Sequence, residues 1–277
     1  MRIDQLLVHR KMAHSRSQAQ RLIAGGVPCC VGGVWRTITK NGEDVPEDAP
    51  IQLQDTSELR YVSRGGLKLE AALQHLGLAV HGCQCLDVGQ STGGFTDCLL
   101  QHGASRVVGV DVGIDQLHPS LRNDSRVVCL EKRNARTLHA SDLIAAYADW
   151  IRVRGHFDPQ KSAHMPTAFL PIFDLIVVDL SFISQTLVLP ALIYLLAPEG
   201  LLLSLVKPQF ELQPAQIGKG GIVKDTVLYA VVEQRLRESC MSLGWEVMDW
   251  FDSGVTGGDG NREFFMRARH ATQMDTL

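Results

Sequence analysis

The chain has 277 residues, of which 45% are hydrophobic and 21% are charged, and its formal net charge at pH 7 is −3. This length and composition suit one large globular domain with a smaller one, and they exclude a disordered or fibrous protein. The seven cysteines contain no C-x-x-C pair, so they predict neither a metal site nor a disulfide framework, and a reducing cytoplasm is the expected location.

Residues 1–58 are predicted to form a separate basic domain. Within the first 42 residues, seven lysines and arginines oppose a single acid, Asp4, although the whole chain is negative. Such asymmetry indicates a polyanionic partner. The alternative is that these charges only form a solvent-exposed surface without a binding role. Met1 is not followed by the apolar core of a signal peptide.

The same region predicts a compact unit of helices and a hairpin. Ser15 and Gln18 have capping-box spacing, which predicts a basic helix over residues 17–24. Strands over residues 27–31 and 34–38 follow, joined by two glycines, which is a hairpin signal.

This N-terminal region resembles the S4 domain, a small RNA-binding domain found in ribosomal protein S4 and in several RNA-modifying enzymes. The resemblance rests on Arg2-Ile3-Asp4-Gln5-Leu6-Leu7, Ser15-Arg16-Ser17-Gln18-Ala19, Leu22-Ile23 and Gly25-Gly26-Val27. That family usually has Val-Asn-Gly in the hairpin, where this chain has Val31-Gly32-Gly33. The resemblance implies an RNA partner, contacted by Arg2, Arg10, Lys11, Ser15, Arg16 and Arg21.

A polar linker over residues 59–66, with an extended piece over residues 60–63, precedes a predicted amphipathic helix over residues 67–76. Lys68 would begin this helix, where a cation opposes the helix dipole and an acid would be the structural preference. Simple solvent exposure would also explain this lysine.

The stretch around Gly89 predicts the first strand-turn-helix of a doubly wound α/β domain that extends over residues 67–270. The dinucleotide pattern G-x-G-x-x-G lacks its middle glycine here, because Ser91 stands in its place. A second strand ends in Asp111, 22 residues after Gly89, where an acid meets a ribose diol. These features favour S-adenosylmethionine over a nicotinamide dinucleotide, with a purely structural glycine turn as the alternative.

The remaining pattern predicts a parallel sheet closed by an antiparallel edge, the methyltransferase variant of this fold. The predicted strands cover residues 84–88, 106–110, 127–130, 173–178, 201–206, 245–251 and 263–269, and the predicted helices cover residues 141–152 and 226–243. The apolar stretch 187–206 is interrupted by Pro190 and by Pro198-Glu199-Gly200, so it predicts a buried helix, a turn and a buried strand rather than a membrane span. Residues 155–171 are predicted to form a loop, and their sequence indicates no function for it.

Charged residues at the ends of the predicted strands suggest a reaction centre. Asp179 and Lys207 follow neighbouring strands, and Lys68 and Glu263 could reach the same edge. A ribose hydroxyl is a very weak acid, so its attack on a sulfonium methyl group needs a positioned base. A lysine can serve once it loses its proton. Surface ion pairs, and a turn-stabilising role for Glu263, are the structural alternatives.

Four motifs together resemble the TlyA (hemolysin A) family, which joins an S4 domain to an FtsJ-like methyltransferase domain. They are Asp87-Val88-Gly89-x-Ser91-Thr92-Gly93-Gly94-Phe95-Thr96-Asp97, Asp179-Leu180-Ser181-Phe182-Ile183-Ser184, Leu205-Val206-Lys207-Pro208-Gln209-Phe210-Glu211 and Gly257-Gly258-x-Gly260-Asn261-x-Glu263-Phe264. The chain departs from that family at Gln90, where a small residue is usual, and at Ser253-Gly254-Val255, where Ser-Pro-hydrophobic is typical.

The resemblance implies a Rossmann-like class I methyltransferase domain with a seven-stranded sheet and an antiparallel edge, beside a small α+β S4 domain. It implies a catalytic tetrad of Lys68, Asp179, Lys207 and Glu263, with Lys207 acting on the hydroxyl. It also implies an S-adenosylmethionine site formed by Asp87, Gly89, Ser91, Thr92, Gly93, Gly94, Phe95, Asp111, Asn134 and Asp179.

The expected function is therefore S-adenosylmethionine-dependent methylation of a ribose 2′-hydroxyl in ribosomal RNA, without a metal or a membrane. Two other functions stay open, a non-enzymatic RNA-binding assembly factor and, with less support, a membrane-lytic protein. The sequence does not specify the target nucleotide, the ribosomal subunit or the oligomeric state.

Overall fold

The computed structural model describes residues 1–13, 15–53, 60–153, 169–255, 257 and 260–271. The chain divides into two compact units, Met1–Leu67 and Lys68–Leu277. Most of the loop predicted over residues 155–171 lies outside the described residues.

The first unit contains two helices and a hairpin, as predicted. Its helices are α1 (Ile3–His9) and α2 (Arg16–Ala24), and its strands are β1 (Val27–Val31) and β2 (Val34–Ile38). The Ser15 hydroxyl accepts a hydrogen bond from the Gln18 amide at 3.3 Å, which confirms the helix start indicated by their spacing. Gly32 and Gly33 both have positive φ, as a two-residue hairpin turn requires.

The second unit contains a seven-stranded sheet in the order β5-β4-β3-β6-β7-β9-β8. The strands are β3 (Gln84–Val88), β4 (Arg106–Val110), β5 (Val127–Leu130), β6 (Phe173–Val178), β7 (Leu196–Val206), β8 (Trp245–Asp252) and β9 (Phe264–His270). Strands β3 to β7 pair in parallel, and β9 and β8 add the antiparallel edge. The predicted fold is therefore confirmed.

Helices surround this sheet and explain its continuous apolar strands, because parallel strands are buried on both faces. The helices are α3 (Arg64–Leu76), α4 (Gly94–Gln101), α5 (Pro119–Arg122), α6 (Ala140–Val153), α7 (Leu189–Leu192), α8 (Pro208–Glu211) and α9 (Val227–Ser242). Residues such as Leu86, Val108, Ile176 and Leu202 are fully buried between them. Among the described residues, no helix has the length and apolar character needed to cross a membrane.

Two predictions for the segment before Lys68 were wrong. Residues 60–63 form bends rather than an extended piece, and α3 begins at Arg64. Lys68 consequently lies in the second turn, where the argument from the dipole of the first turn no longer applies. The side chain of Lys68 is also buried, so solvent exposure does not explain it.

The predicted turn at residues 198–200 is instead an irregularity within β7. Phe173 pairs with Leu196 and Leu175 pairs with Leu201, so three additional residues of β7 are accommodated between two close positions of β6. Pro198 lacks the amide donor that regular pairing needs, which explains the irregularity. The predicted buried helix before it is divided into α7 and short 3₁₀ segments at Gln185–Leu187 and Ile193–Leu195.

Candidate active site

The turn after β3 brings two strand ends into close contact. Gly89 has φ +90°, and a Cβ atom there would lie 2.3 Å from the carbonyl oxygen of Asp179, which follows β6. Only glycine accepts both the backbone angle and this approach. The Asp179 amide also donates to the Val88 carbonyl at 2.9 Å, so the ends of β3 and β6 are held together.

A cavity of about 450 Å³ opens at this edge of the sheet. Five of the ten predicted cofactor residues line it: Gly89, Ser91, Asp111, Asn134 and Asp179. The Asp111 carboxylate accepts hydrogen bonds from the Ser91 amide at 2.8 Å and the Gly113 amide at 2.7 Å, which fixes its orientation. Val110, Val112, Leu180, Ile183 and Val188 supply apolar walls.

The other five predicted cofactor residues, Asp87, Thr92, Gly93, Gly94 and Phe95, do not line this cavity. Gly93 has φ +93° and precedes α4, and a Cβ atom there would lie 2.4 Å from a Leu121 methyl group. Phe95 is buried and stacks on Phe265 at 6.3 Å between ring centroids. Their binding roles stay predictions.

A buried hydrogen-bond chain lies beneath the glycine turn. The Gln90 amide donates to Thr96 Oγ1 at 2.9 Å, and the Thr96 hydroxyl donates to Asp87 Oδ2 at 2.7 Å. Burial raises the pKa of Asp87 to about 7, despite the Thr96 hydrogen bond. The Gln90 side chain occupies the space next to Gly109, where a Cβ atom would lie 2.0 Å from its amide. This pairing of Gln90 with a glycine in β4 accommodates the large residue.

The four residues of the predicted tetrad form two ion pairs. Lys207 Nζ lies 2.5 Å from Asp179 Oδ1 and donates to Ser181 Oγ at 3.0 Å. Lys68 Nζ lies 2.5 Å from Glu263 Oε2, and both of these side chains are buried. Each amine therefore faces its own carboxylate.

The sheet register relates the two pairs. Val206 at the end of β7 is paired with Phe264 at the start of β9. Lys207 and Glu263 are the next residues on these antiparallel strands, so they emerge side by side. Asp179 follows β6, the other neighbour of β7. A Cβ atom on Gly257 would lie 2.5 Å from Glu263 Oε1, so a glycine is needed where that loop passes the carboxylate.

Four residues near this centre were not among the predicted site residues: Ser181, Phe182, Phe210 and Glu211. Ser181 contacts Lys207, and Phe182, which has φ +65° and a 90% exposed side chain, lies 4.9 Å from Phe210 between ring centroids. Glu211 is buried and accepts hydrogen bonds from the Ser184 hydroxyl and the Gln185 amide. A phenylalanine three positions after each charged strand end, Asp179 and Lys207, was the available signal for Phe182 and Phe210.

Several predicted RNA-binding residues of the first unit make internal contacts. Arg2 and Arg16 both donate to the buried Asp4 carboxylate, at 3.1 and 3.0 Å, and hydrogen bonding to Arg2 lowers the pKa of Asp4 to about 2. Arg10 donates to the Ala49 carbonyl at 2.6 Å, while Ser15 caps α2. Arg16 is nevertheless 56% exposed, so its guanidinium can also face a ligand.

The sheet order, its antiparallel edge and the cavity beside Gly89 define a Rossmann-like class I methyltransferase domain. The FtsJ-like methyltransferase profile matches residues 61–270, and the S4 domain profile matches residues 1–26. The chain thus belongs to the FtsJ-like methyltransferases, and its identity to a TlyA protein over nearly its whole length places it in the TlyA family.

One relative, from Bacillus subtilis and provisionally named rRNA methyltransferase YqxC, is 40% identical over 96% of this chain and 84% of its own length. The 16S/23S rRNA (cytidine-2′-O)-methyltransferase TlyA of Mycobacterium tuberculosis is 39% identical over 98% of this chain and 90% of its own length. A solved structure from Streptococcus thermophilus, provisionally named a hemolysin, is 34% identical, covers 100% of this chain and 92% of its own, and has a TM-score of 0.68.

Proposed function

We propose that this protein is a cytoplasmic enzyme that transfers a methyl group from S-adenosylmethionine to a ribose 2′-hydroxyl of ribosomal RNA. The observation that carries this proposal is the Lys207–Asp179 ion pair at the edge of a nucleoside-sized cavity. The name of the Mycobacterium tuberculosis relative supports the choice of ribose and ribosomal RNA.

The cavity suits S-adenosylmethionine in size and in chemistry. Its volume of about 450 Å³ lies within the range of small-ligand pockets. The Asp111 carboxylate, at the end of the strand after the glycine turn, would accept hydrogen bonds from the ribose hydroxyls, and Asn134 offers an amide. Apolar walls would pack against the adenine. The bound cofactor would supply an electrophilic methyl group on a sulfonium.

Lys207 is the residue we assign to the substrate hydroxyl. Its amine is held by Asp179 and by Ser181, so it occupies a fixed position at the end of β7. After losing its proton, Lys207 would accept the proton of the hydroxyl as the oxygen attacks the methyl carbon. The Lys68–Glu263 pair beside it would hold the second amine near the developing alkoxide charge. Fixed placement of oxygen and carbon supplies much of the remaining acceleration.

Phe182 would hold the target nucleotide. Its ring lines the cavity, is 90% exposed and contacts the tilted ring of Phe210, so it is accessible to a nucleobase. A nucleobase stacked on this face would bring its own ribose toward Lys207, since base–aromatic stacking contributes about 1–3 kcal/mol per base.

The test is transfer of label from methyl-labelled S-adenosylmethionine to ribosomal RNA, followed by nucleoside analysis. We expect label on a ribose 2′-oxygen, and Lys207→Ala should abolish transfer while leaving cofactor binding intact. Lys219→Ala is the matched control, because Lys219 is an exposed lysine of the same unit. Label on a base, or near-normal turnover by Lys207→Ala, would refute the assignment.

Two further measurements address the rival functions. Calorimetry with S-adenosylmethionine distinguishes an assembly factor, which would not bind it at millimolar concentration. The second measurement is liposome leakage, because the similar protein from Streptococcus thermophilus carries the provisional name hemolysin. Leakage caused by the pure protein would support a membrane-lytic function instead.

A further inference from the structure

A buried polar network lies immediately behind the loops that carry Asp179 and Lys207. Glu211 is at its centre: Oε2 accepts from the Ser184 hydroxyl at 2.5 Å, and Oε1 accepts from the Gln185 amide at 2.8 Å. Only 4% of Glu211 is exposed. Burial raises the pKa of this carboxyl above its usual value, while the Gln185 and Ser184 hydrogen bonds lower it, so a substantial desolvation cost opposes the charged form at this position.

The network continues from Gln185 into β7. The Gln185 side-chain amide donates to the Leu205 carbonyl at 2.8 Å, and the Ser204 hydroxyl donates to Gln185 Oε1 at 2.7 Å. Gln185 and Ser204 are both buried. The segment after β6 is therefore attached to β7 as well as to α8.

Both catalytic loops end at this network. Asp179 begins a loop whose other end is at Ser184, and Lys207 immediately precedes α8, which ends at Glu211. Arg235 of α9 donates to the Glu211 carbonyl, which fixes the end of α8 from outside. Between the attached ends, Phe182 is exposed and lies against Phe210, while Leu180 and Ile183 pack on the apolar core. The hydrogen bonds at Ser184 and Gln185 fix the far end of this loop.

We propose that Glu211 is a positioning residue for methyl transfer, because it joins the end of the Asp179 loop to the end of the Lys207 segment and so sets the geometry of their ion pair. This inference rests on the proposed function. The opposing explanation is that Glu211 only stabilises the 3₁₀ turn at Gln185–Leu187, which Ser184 caps.

Three variants in the full-length protein separate these explanations. Glu211→Ala removes both acceptors. Glu211→Gln keeps the shape and can still accept from the Gln185 amide, while its own amide donates to the Ser184 oxygen. Leu143→Ala is the destabilised control, because Leu143 is a fully buried residue of α6, a helix that packs on β5 at the far side of the sheet.

We expect Glu211→Ala to lower kcat about 10- to 100-fold, because small misplacements of reacting groups have effects of that size, while the KM for each substrate changes little. Glu211→Gln should stay within about threefold of the wild type, and Leu143→Ala should lose stability with its kcat largely retained. Equal kcat losses in Glu211→Ala and Leu143→Ala would overturn the proposal.

Hydrogen exchange supplies a readout that does not need activity. The Gln185 amide should exchange much faster in Glu211→Ala than in Glu211→Gln or Leu143→Ala, since it loses its acceptor. Unchanged exchange at residues 184–187 would overturn the proposal even if the wild type methylates RNA. If the wild type instead transfers no methyl group to ribose, the proposed function fails, while the exchange result still shows whether Glu211 holds the Gln185 amide.

Discussion

Lys68 and Glu263 form an ion pair that is nearly inaccessible to water, with side-chain exposures of 8% and 3%. A buried charge that loses its partner keeps its desolvation cost without the compensating attraction. Both members of this pair therefore contribute to the stability of the fold as well as to the charge distribution of the proposed reaction centre.

We predict that Lys68→Met and Glu263→Leu each lower the free energy of unfolding by about 3–5 kcal/mol, and that the double variant loses less than the sum. Urea unfolding of the four proteins measures the coupling. The exposed pair Arg269–Glu246 is the matched control, and its coupling should stay below about 1 kcal/mol. A similarly small coupling for Lys68 and Glu263 would contradict the prediction.

Asp87 makes stability depend on pH in an unusual direction for a carboxylate. Its pKa in the folded protein is raised to about 7 by burial, whereas the unfolded chain releases the same proton near pH 4. The native state therefore binds more protons between these values. The contribution of Asp87 to stability is fully present below about pH 4 and is lost as the pH rises toward 7.

We predict that Asp87→Asn removes this contribution, because the asparagine side chain keeps an acceptor for Thr96 and cannot ionise. Urea unfolding at pH 5, 6, 7 and 8 should show the wild type losing up to about 1.4 kcal/mol per pH unit relative to the variant below pH 7. Parallel pH profiles for the two proteins would show that Asp87 is ionised in the native state.

Among the elements, the turn between β3 and α4 depends most strictly on its residue types. Gly89 combines a positive φ with a contact to the Asp179 carbonyl, whereas Gly77, at the end of α3, has φ +59° and no neighbouring atom within 4 Å of a Cβ position. The first glycine is thus required for conformation and for space, and the second for conformation alone.

We predict that Gly89→Ala destabilises the protein by at least about 2 kcal/mol more than Gly77→Ala, since only the former also overpacks. Gly89→Ala should further lose S-adenosylmethionine binding, measured by calorimetry, because the ends of β3 and β6 must separate. Equal thermal stabilities and equal cofactor affinities in the two variants would show that the close contact is not needed.

The strands could be predicted from sequence because hydrophobic runs bounded by glycine or polar residues are local signals. Six of the strands, β1 to β6, have the predicted bounds. The irregularity at Pro198 could not be predicted, because whether proline ends a strand depends on the register with β6. The start of α3 was predicted three residues too late, at Leu67 instead of Arg64, because Gly65 and Gly66 were taken as the end of the linker.

The residues of the candidate site could likewise be predicted only in part. Polar residues at strand ends identify Asp111, Asp179 and Lys207, whereas Glu211 and Phe182 depend on contacts between distant segments or on exposure. The pairing of Lys68 with Glu263 joins residues 195 positions apart, which no spacing rule reveals.

For the molecule as a whole, charge is distributed unevenly along the chain. Seven cations and one acid occupy the first 42 residues, and the remaining residues make the total −3. Attraction of a polyanion should therefore depend on the first unit, in which Arg16 remains 56% exposed although it contacts Asp4.

We predict that the double variant Arg16→Gln/Arg21→Gln binds RNA more weakly. The slope of log Kd against log salt concentration should fall by about two, about one for each lost phosphate contact. Arg106→Gln/Arg126→Gln is the control, because it removes the same charge from residues at the amino ends of β4 and β5, opposite the cavity. Filter binding at several salt concentrations measures both slopes. Equal slopes would exclude the first unit as the main RNA-binding surface.

The two balanced ion pairs at the ends of β6, β7 and β9 leave the proposed reaction centre without formal net charge. Such a centre exerts little long-range attraction on phosphates, so we expect RNA binding and the proposed methyl transfer to depend on different residues. A protein whose basic surface had been neutralised would then work at full speed once RNA is saturating, and evolution could change target affinity without altering the catalytic step.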